Sequence, residues 1–458
     1  MKYVIVGGGI TGLLSAKILR DRHPKANITV LEKENFLGGL LSGIIYREKD
    51  LYFDTGTHIF QETGNSEIDD ILINAIGSEN LIHYPIGKGD LAGLFLNNKF
   101  QENSHFPDLR NDFLYEHIRR HLKEHLKSDV KLENIDPCKS LIDVANARFG
   151  KYFTDKFITP VFESVFKLPI NKISSFALSL TGWTRVILDD YDDWIKNISN
   201  NSYKSIVAIP DQRKLPLEMH HGRRSYYSRK NGSNAIITGL KDLLFSSNVE
   251  IITGVNIEQI NQSDDRCLDI TYNHKRMSIC YDKLIISTGI FGAAKLFGIN
   301  EFYQSLDKSL AHWIIDIILE KPCESDLCYL YSLDKNSDWF RITNYNALFD
   351  NSVDKRLTIE VLGEYEVNES FVTSLLKSLT NISFLNCYKS SFINCRKIPT
   401  GFPIPSTKNF IKFAEINKEL QSYTSDSILF CGIGTADGVF FQNQVLLSML
   451  ENLNNFDE

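Results

Sequence analysis

The stretch "YVIVGGGITGLLSAKIL", Tyr3 to Leu19, decides the fold. Tyr3 to Val6 is an apolar run of strand type, Gly7-x-Gly9-x-x-Gly12 follows at once, and Leu13 to Arg20 reads as a helix with Leu14 and Ile18 on one face. Strand, turn and helix in this order open a dinucleotide-binding unit. One glycine allows the tight turn, one lets backbone approach a pyrophosphate, and one lets helix and strand pack closely, while the helix N-terminus presents free N–H groups to the anion. Gly7, Gly9, Thr11 and Gly12 are therefore the candidate pyrophosphate contacts.

Ile28 to Leu31 is a second short strand, and Glu32 ends it, 20 residues after Gly12. A carboxylate at that spacing accepts hydrogen bonds from ribose hydroxyls, and Lys33 joins it as a cofactor-side candidate. A purely structural glycine turn would not require both strands, the acidic residue and the spacing together. The fingerprint by itself does not separate FAD from NAD.

The chain has 458 residues, 43% of them hydrophobic, enough for a large core and two or three domains. Net charge is -7 with both signs spread along the chain, so no basic face calls for nucleic acid, and a small-molecule partner is expected. The eight cysteines form neither C-x-x-C pairs nor a compact framework, which predicts reduced thiols and a cytoplasmic setting. The first apolar run lacks a basic leader and is broken by Gly7, Gly8, Gly9 and Gly12, so it reads as neither signal peptide nor membrane span.

Beyond the acidic strand, "LEKENFLGGLLSG" places Gly38-Gly39, and "YFDTGTHIFQ" follows at Tyr52 to Gln61. Here the sequence resembles the FAD-dependent superfamily of flavin amine oxidases, protoporphyrinogen-oxidase-like proteins and UDP-galactopyranose mutases. The resemblance implies that Gly38, Gly39, Gly56, Thr57 and His58 line a flavin. "ARFGKYFTDKFITPVFESVFKLPI" resembles a helical segment of the family's substrate domain, and "YYSRKNGSNAIITGLKDLL" its return to the flavin domain. "VEIITGVNIEQI" is similar to the strand pair whose Val255 backbone would meet adenine, with "YDKLIISTG" the strand behind it. "DWFRITNYNALFD" and "RLTIEVLGE" resemble the protoporphyrinogen-oxidase-like and mutase-like members in particular. "ILFCGIGTADGVFFQNQVLLSMLEN" is similar to the closing strand, glycine turn and helix, implying that Gly432, Val439, Phe440, Phe441 and Gln442 adjoin the cofactor. A helix beginning near Gln442 would aim its positive end at the flavin pyrimidine edge and stabilise negative charge there. A flexible strand-to-helix loop is the plain alternative for Gly432, Gly434 and Gly438.

The implied fold class is α/β, a Rossmann-like FAD-binding domain interleaved with an α+β substrate (cap) domain. Segments 1–95, 225–298 and 396–458 would build the first; 96–224 and 299–395 would form the second and hold the substrate against the ring. Residues 112–196 read as largely helical, whereas "HWIIDIILE" and "RLTIEVL" have strand character. "STGIFGAAKLFG" follows a strand, but glycines 289, 292 and 298 do not match G-x-G-x-x-G, so it reads as a domain crossover and not a nicotinamide site.

The candidate catalytic residues are His58, placed by "GTHIF", and Arg341 in "WFRIT", which resembles a family arginine near the substrate. A satisfied core histidine and a surface pair of Arg341 with Asp338 are the alternatives. His117, His121 and His125 share one helix stripe, but the apolar stripe Leu114, Ile118, Leu122 and Leu126 beside it reads as an amphipathic helix with no metal. "MHHGRRSYYSRK" gathers His220, His221, Arg223, Arg224, Arg229 and Lys230 around Tyr226 and Tyr227, a clamp for an anionic substrate or a polar surface loop.

Two reactions follow. In the first, an oxidoreductase, a hydride from a carbon beside nitrogen or oxygen passes to flavin. In the second, a mutase-type isomerase, reduced flavin attacks a sugar-nucleotide carbon with no net redox change. "GTHIFQ" and "GVFFQNQV" favour the second, whereas Ile433 and Asp437 stand where mutases carry a phosphate-side arginine and tyrosine. A flavin-binding protein without catalysis is a third reading.

Overall fold

Apolar runs without alternation mark strands buried on both faces, and five of them form one parallel sheet. They are β1 (Lys2–Val6), β2 (Asn27–Glu32), β3 (Glu250–Thr253), β4 (Lys283–Ile286) and β5 (Ile428–Phe430), in the order β3-β2-β1-β4-β5. In this computed structural model the described residues are 1–84, 91–110, 115–128, 135–216, 219, 223–261, 266–349, 353–435 and 439–457. Leu284, Ile285 and Ile286 of β4 have no exposed surface, as a central strand requires. Helix α1 (Ile10–Arg22) links β1 to β2. It buries Leu13, Leu14, Ala16, Ile18 and Leu19, more than the single face read from Leu14 and Ile18. The reason is that α1 is flanked by two helices as well as the sheet: Asn234–Ser246 and α2 (Gln442–Asp457). At the far end of α2, Asp457 accepts from Tyr3 Oη at 2.7 Å and lies 2.8 Å from His23 Nε2, fixing the C-terminal helix to β1.

The chain divides into two compact units, each discontinuous. The first is Met1–His83, Arg223–Leu306 and Lys412–Glu458; the second is Tyr84–Gly222 and Asp307–Ile411. These bounds differ from the sequence reading. Ala92–Leu96 lies in the second unit because it pairs in parallel with Tyr329–Ser332. Residues 396–402 also lie there, as the end of a long strand, Ser390–Phe402, laid against Leu310–Leu319. Gly289–Leu296 is a helix inside the first unit, not the crossover itself, which comes after Leu306.

The first unit also holds an antiparallel sheet of Asn256–Asn261, Cys267–Tyr272 and Lys275–Cys280. Its register sets Cys267 opposite Cys280, and the two form a disulfide. This corrects the expectation that all cysteines are reduced: hairpin register brings together two residues that spacing alone leaves unpaired. The other six stand outside any disulfide.

In the second unit a seven-stranded sheet runs Ser390–Phe402, Leu310–Leu319, Arg356–Leu362, Arg341–Asn344, Tyr329–Ser332, Ala92–Leu96, Lys99–Gln101. The predicted helical stretch becomes Leu141–Phe149, broken at Gly150 (φ 81°), then Lys151–Phe153, a π-turn at Thr154–Ile158 and Thr159–Phe166. Phe149, Phe153, Phe157, Phe162 and Phe166 of this stretch are buried in an aromatic core with Trp183 and Trp194. Ile118, Leu122 and Leu126 face that core from the helix Glu116–His125 and its end. Its histidines have separate partners: Arg120 for His117, the Tyr152 ring for His121 and Ala147 O for His125. Among the described residues no group of three or more His, Cys, Asp or Glu side chains could hold a metal. Nor is any helix among them long and apolar enough to cross a membrane.

Candidate functional site

Every loop that leaves the C-terminal edge of the parallel sheet is tied to its neighbour there, the edge at which open α/β sheets take ligands. Gly7 N donates to Leu31 O at 2.8 Å, Ser287 N to Val6 O at 2.8 Å, and Cys431 N to Ile286 O at 2.9 Å. Gly38 N donates to Gly8 O at 2.9 Å, Val255 N to Glu32 O at 3.0 Å, and Ile290 N to Ile433 O at 3.0 Å. The fingerprint, the acidic strand end, the double glycine, Val255 and the loop at Gly432 are thus brought together. Ser287, which sequence reasoning missed, completes the join by donating from Oγ toward Val6 O and Gly7 O at 3.0 and 3.1 Å.

The three fingerprint glycines serve different purposes. A Cβ on Gly12 would lie 2.0 Å from Gly7 O, and one on Gly7, whose φ is +112°, would lie 2.7 Å from Ser287 Oγ. Packing within the chain demands glycine at both. Gly9 is different: its backbone is ordinary extended chain (φ -77°, ψ 178°), and a Cβ there would meet nothing within 4 Å. It is the N-cap of α1 and gives no side-chain cap to the helix. A Cβ on Gly39 would still stop 3.9 Å from Gly9 Cα. The helix N-terminus therefore opens onto a cradle walled by Gly9 and the double glycine, a fit for a pyrophosphate.

Glu32 is half-buried and holds the cradle in shape, accepting from Gly8 N at 2.7 Å and Glu34 N at 2.8 Å. Those two bonds leave lone pairs on a carboxylate for ribose hydroxyls. Thr11 is buried and Lys33 exposed.

The segment Gly56-Thr57-His58 leads into the short strand Phe60–Gln61, and Gln61 Oε1 accepts from Asn443 Nδ2 at 3.2 Å. This places it beside the start of α2. Phe440 N and Phe441 N both point at Gln444 Oε1, 3.4 and 3.1 Å away, a side-chain cap that sequence reasoning did not foresee. Val439 and Gln442 are half-buried, while Ile433, Phe440 and Phe441 remain 38%, 39% and 42% exposed. Asp437 and Gly438 lie outside the described residues. His58 Nε2 is 2.9 Å from Thr55 O; a carbonyl only accepts, so Nε2 carries the proton there. Under this loop Asp54, with no exposed surface, accepts from Tyr52 Oη at 2.5 Å, Ser233 Oγ at 2.6 Å, Ser233 N at 3.1 Å and from Tyr227 Oη.

The stretch around Tyr226 and Tyr227, read as an anion clamp or a polar surface loop, has several of its groups engaged within the protein. Both tyrosines are buried, Tyr227 in the Asp54 cluster, and Arg224 is paired with Glu62 at 2.7 Å. His220 and His221 lie outside the described residues.

Arg341 lies in the second unit, on the strand beside Arg356–Leu362, and register sets it opposite Glu360. Its partner is Glu360 and not Asp338: Nε meets Oε1 at 2.6 Å and a second nitrogen meets Oε2 at 3.0 Å. His312 Nε2 is 3.1 Å from Glu360 Oε2. Burial pushes the Glu360 carboxyl up, but Arg341 and His312 outweigh it and hold it at about 2.

Residues 5–72 match a family of NAD(P)-binding Rossmann-like domains. The chain shares its fold with solved structures assigned as a protoporphyrinogen oxidase and as a UDP-galactopyranose mutase. A structure assigned as a protoporphyrinogen oxidase from Exiguobacterium is similar over 100% of this chain and 98% of its own, with TM-score 0.67 and 17% identity. A reduced UDP-galactopyranose mutase is similar over 99% and 95%, with TM-score 0.70 and 17% identity. In sequence, coproporphyrinogen III oxidase of Staphylococcus aureus is 22% identical over 343 residues, 70% of this chain and 68% of that protein.

Proposed function

We propose that this protein binds FAD at the C-terminal edge of the parallel sheet and is an oxidoreductase acting on a small molecule. The observation that carries the reading is the open space over Gly9, a glycine that neither backbone angle nor internal packing requires. Gly7, Thr11 and Gly12 would shape the pyrophosphate turn, Glu32 would take the ribose, and Val255 would lie on the adenine side. Gly38, Gly39, Gly56, Thr57 and the start of α2 would border the ring. When bound, FAD supplies a two-electron acceptor for hydride from a carbon beside nitrogen or oxygen.

The chain's own contribution is to orient and to place charge. The N-terminus of α2 stabilises negative charge near it, and Ile433, Phe440 and Phe441 offer exposed apolar surface of the kind a planar ring covers. With Nε2–H of His58 held by Thr55 O, the accepting nitrogen of the neutral ring is Nδ1. Arg341 is assigned to substrate recognition in the second unit.

The mutase reading draws on "GTHIFQ" and "GVFFQNQV". Against it, Ile433 puts an exposed apolar side chain where an arginine would face phosphate. Anaerobic mixing separates the two. An oxidoreductase's flavin bleaches with the right substrate, and turnover stops without an acceptor. A mutase needs dithionite-reduced flavin at the start and interconverts sugar nucleotides without consuming an acceptor. Sugar-nucleotide isomerisation by the reduced protein alone would overturn the oxidoreductase reading, and a purified protein that takes up no FAD would overturn both.

A further inference from the structure

In the second unit, most half-buried arginines come with a carboxylate. Arg110 pairs with Asp108 at 2.7 Å, Arg341 with Glu360 at 2.6 Å, Arg356 with Asp354 at 2.6 Å and Arg396 with Asp316 at 3.0 Å. Arg148 and Arg185, equally half-buried, do not, and neither does Arg119, which donates to Arg110 O. Arg148, in the last turn of Leu141–Phe149, donates from Nε to Thr184 O at 2.8 Å and from a second nitrogen to Ser205 O. Arg185 follows Thr184 in the chain. Its guanidinium lies 5.4 Å from the centre of the Phe106 ring, and among the described residues no hydrogen bond or ion pair satisfies it.

The arrangement is held by backbone, so it is built and not incidental. Ile187 N donates to Pro107 O at 2.9 Å and Leu109 N to Ile187 O at 3.0 Å, while Val186 N donates to Ile206 O at 2.9 Å. Segments 105–109, 184–188 and 205–208 therefore lie side by side. The first brings His105, whose ring centre is 4.2 Å from that of Phe106 and whose Nδ1 is buried without a partner. Burial lowers His105 to about 4, and the Arg185 charge adds to this, so the ring is neutral at pH 7. Burial lowers Arg148 to about 10, and Arg185 again adds to it. Two like charges and an unsatisfied ring nitrogen gathered without an anion form an arrangement that an oxyanion relieves. A guanidinium fork binds phosphate or carboxylate bidentately.

We propose that Arg148 and Arg185, with His105 beside them, form an oxyanion subsite that receives the phosphate or carboxylate group of a small molecule. The subsite belongs to the second unit and does not depend on flavin being held in the first. The test uses the full-length protein at pH 7, titrated separately with inorganic pyrophosphate and with citrate and followed by calorimetry and melting. Sodium chloride at matched ionic strength serves as the screening control. One of the two anions should bind and raise Tm beyond the control; pyrophosphate identifies a phosphoryl ligand, citrate a carboxylate. Arg185→Gln should weaken that anion about tenfold or more, as expected for a lost charge-assisted pair of hydrogen bonds. Arg185→Lys, which keeps the charge but not the fork, should fall between and guards against a folding defect. Flavin absorbance should be the same in all three proteins, so failure of this proposal is distinguishable from failure of the flavin reading. No effect of either anion beyond sodium chloride, or an unchanged affinity in Arg185→Gln, overturns it.

Discussion

Replacing Gly9 by alanine separates binding from folding because the structure gives the two effects different sizes. The backbone at Gly9 suits any residue, and the added Cβ meets nothing within 4 Å. Loss of unfolded-chain freedom favours alanine by roughly 0.4–1 kcal/mol. Alanine is a poorer N-cap than glycine by about the same amount. The two offset, so the apo protein should melt within about 2 °C of wild type. On the proposed reading the pyrophosphate, by contrast, comes against the backbone where the methyl now stands. Losing one charge-assisted hydrogen bond costs about 1.5–3 kcal/mol, or roughly ten- to a hundredfold in FAD affinity.

Gly12→Ala is the internal contrast. Its Cβ would lie 2.0 Å from Gly7 O and 2.5 Å from Ser287 Oγ, so α1 must move off β1 and the fold loses on the order of 1–3 kcal/mol even without cofactor. The assay is FAD content by absorbance and Kd by titration, with apo melting run in parallel. Gly9→Ala with wild-type FAD affinity, or with apo melting as depressed as that of Gly12→Ala, would refute the assignment of Gly9 to the ligand.

Glu360, ordinarily near 4.5 and held at about 2, gives the second unit stability that is complete above about pH 4.5 and lost as pH falls toward 2. Arg341→Met should therefore move acid unfolding, followed by circular dichroism, to higher pH; an unchanged midpoint counts against the pair. His105, lowered to about 4 by burial and then by Arg185, adds a loss of stability as pH falls from about 6.5 to 4, because the unfolded chain takes up the proton that the folded one refuses. Proton NMR of the ring should show no titration above pH 5. Tyr227→Phe removes one donor from buried Asp54 and should cost about 1–3 kcal/mol in denaturant melts; a neutral result would mean that the carboxylate is satisfied without it. Cys267→Ser should cost about 2–3 kcal/mol for a loop of 13 residues, and alkylation before reduction should label six cysteines and not eight.

What could be read from the sequence is what is local. The fingerprint needs only a strand, three glycines and a helix in contiguous residues, and the start of α2 at Gln442 follows from one apolar period. The order of the five parallel strands does not come from such patterns, nor does the placement of Ala92–Leu96 in the second unit, since three of the four pairings in that sheet and the pairing of Ala92–Leu96 join residues more than 100 apart. The disulfide was hidden although its cysteines are only 13 residues apart, because it is a matter of register across a hairpin, and so was the cap supplied by Gln444, which depends on Phe440 N and Phe441 N facing its side chain. The "MHHGRRSYYSRK" stretch left a clamp and a polar surface loop open for a related reason: composition shows cations and aromatics together, and only the fold shows that Tyr226 and Tyr227 are both buried, Tyr227 at Asp54, while Arg224 meets Glu62.

Arginine is where the difference between sequence and structure bears most on function. "WFRIT" singled out Arg341, and the structure pairs that guanidinium with Glu360 through two nitrogens. With its charge compensated and that edge taken, Arg341 is suited to orienting a polar group through its remaining N–H donors more than to neutralising an anion. Arg185, in "GWTRVIL", has no motif around it and attracted no attention in the sequence. Yet it is the arginine whose charge is left open, and the two neighbouring groups it perturbs, Arg148 and His105, carry no compensating negative charge. Nothing in the one-dimensional pattern separates the two arginines, because the partner that silences Arg341 comes from 19 residues away by strand register. Recognition of an anionic ligand is accordingly assigned to the unpaired arginine, and Arg341→Met should leave pyrophosphate or citrate affinity unchanged in the titration that Arg185→Gln weakens.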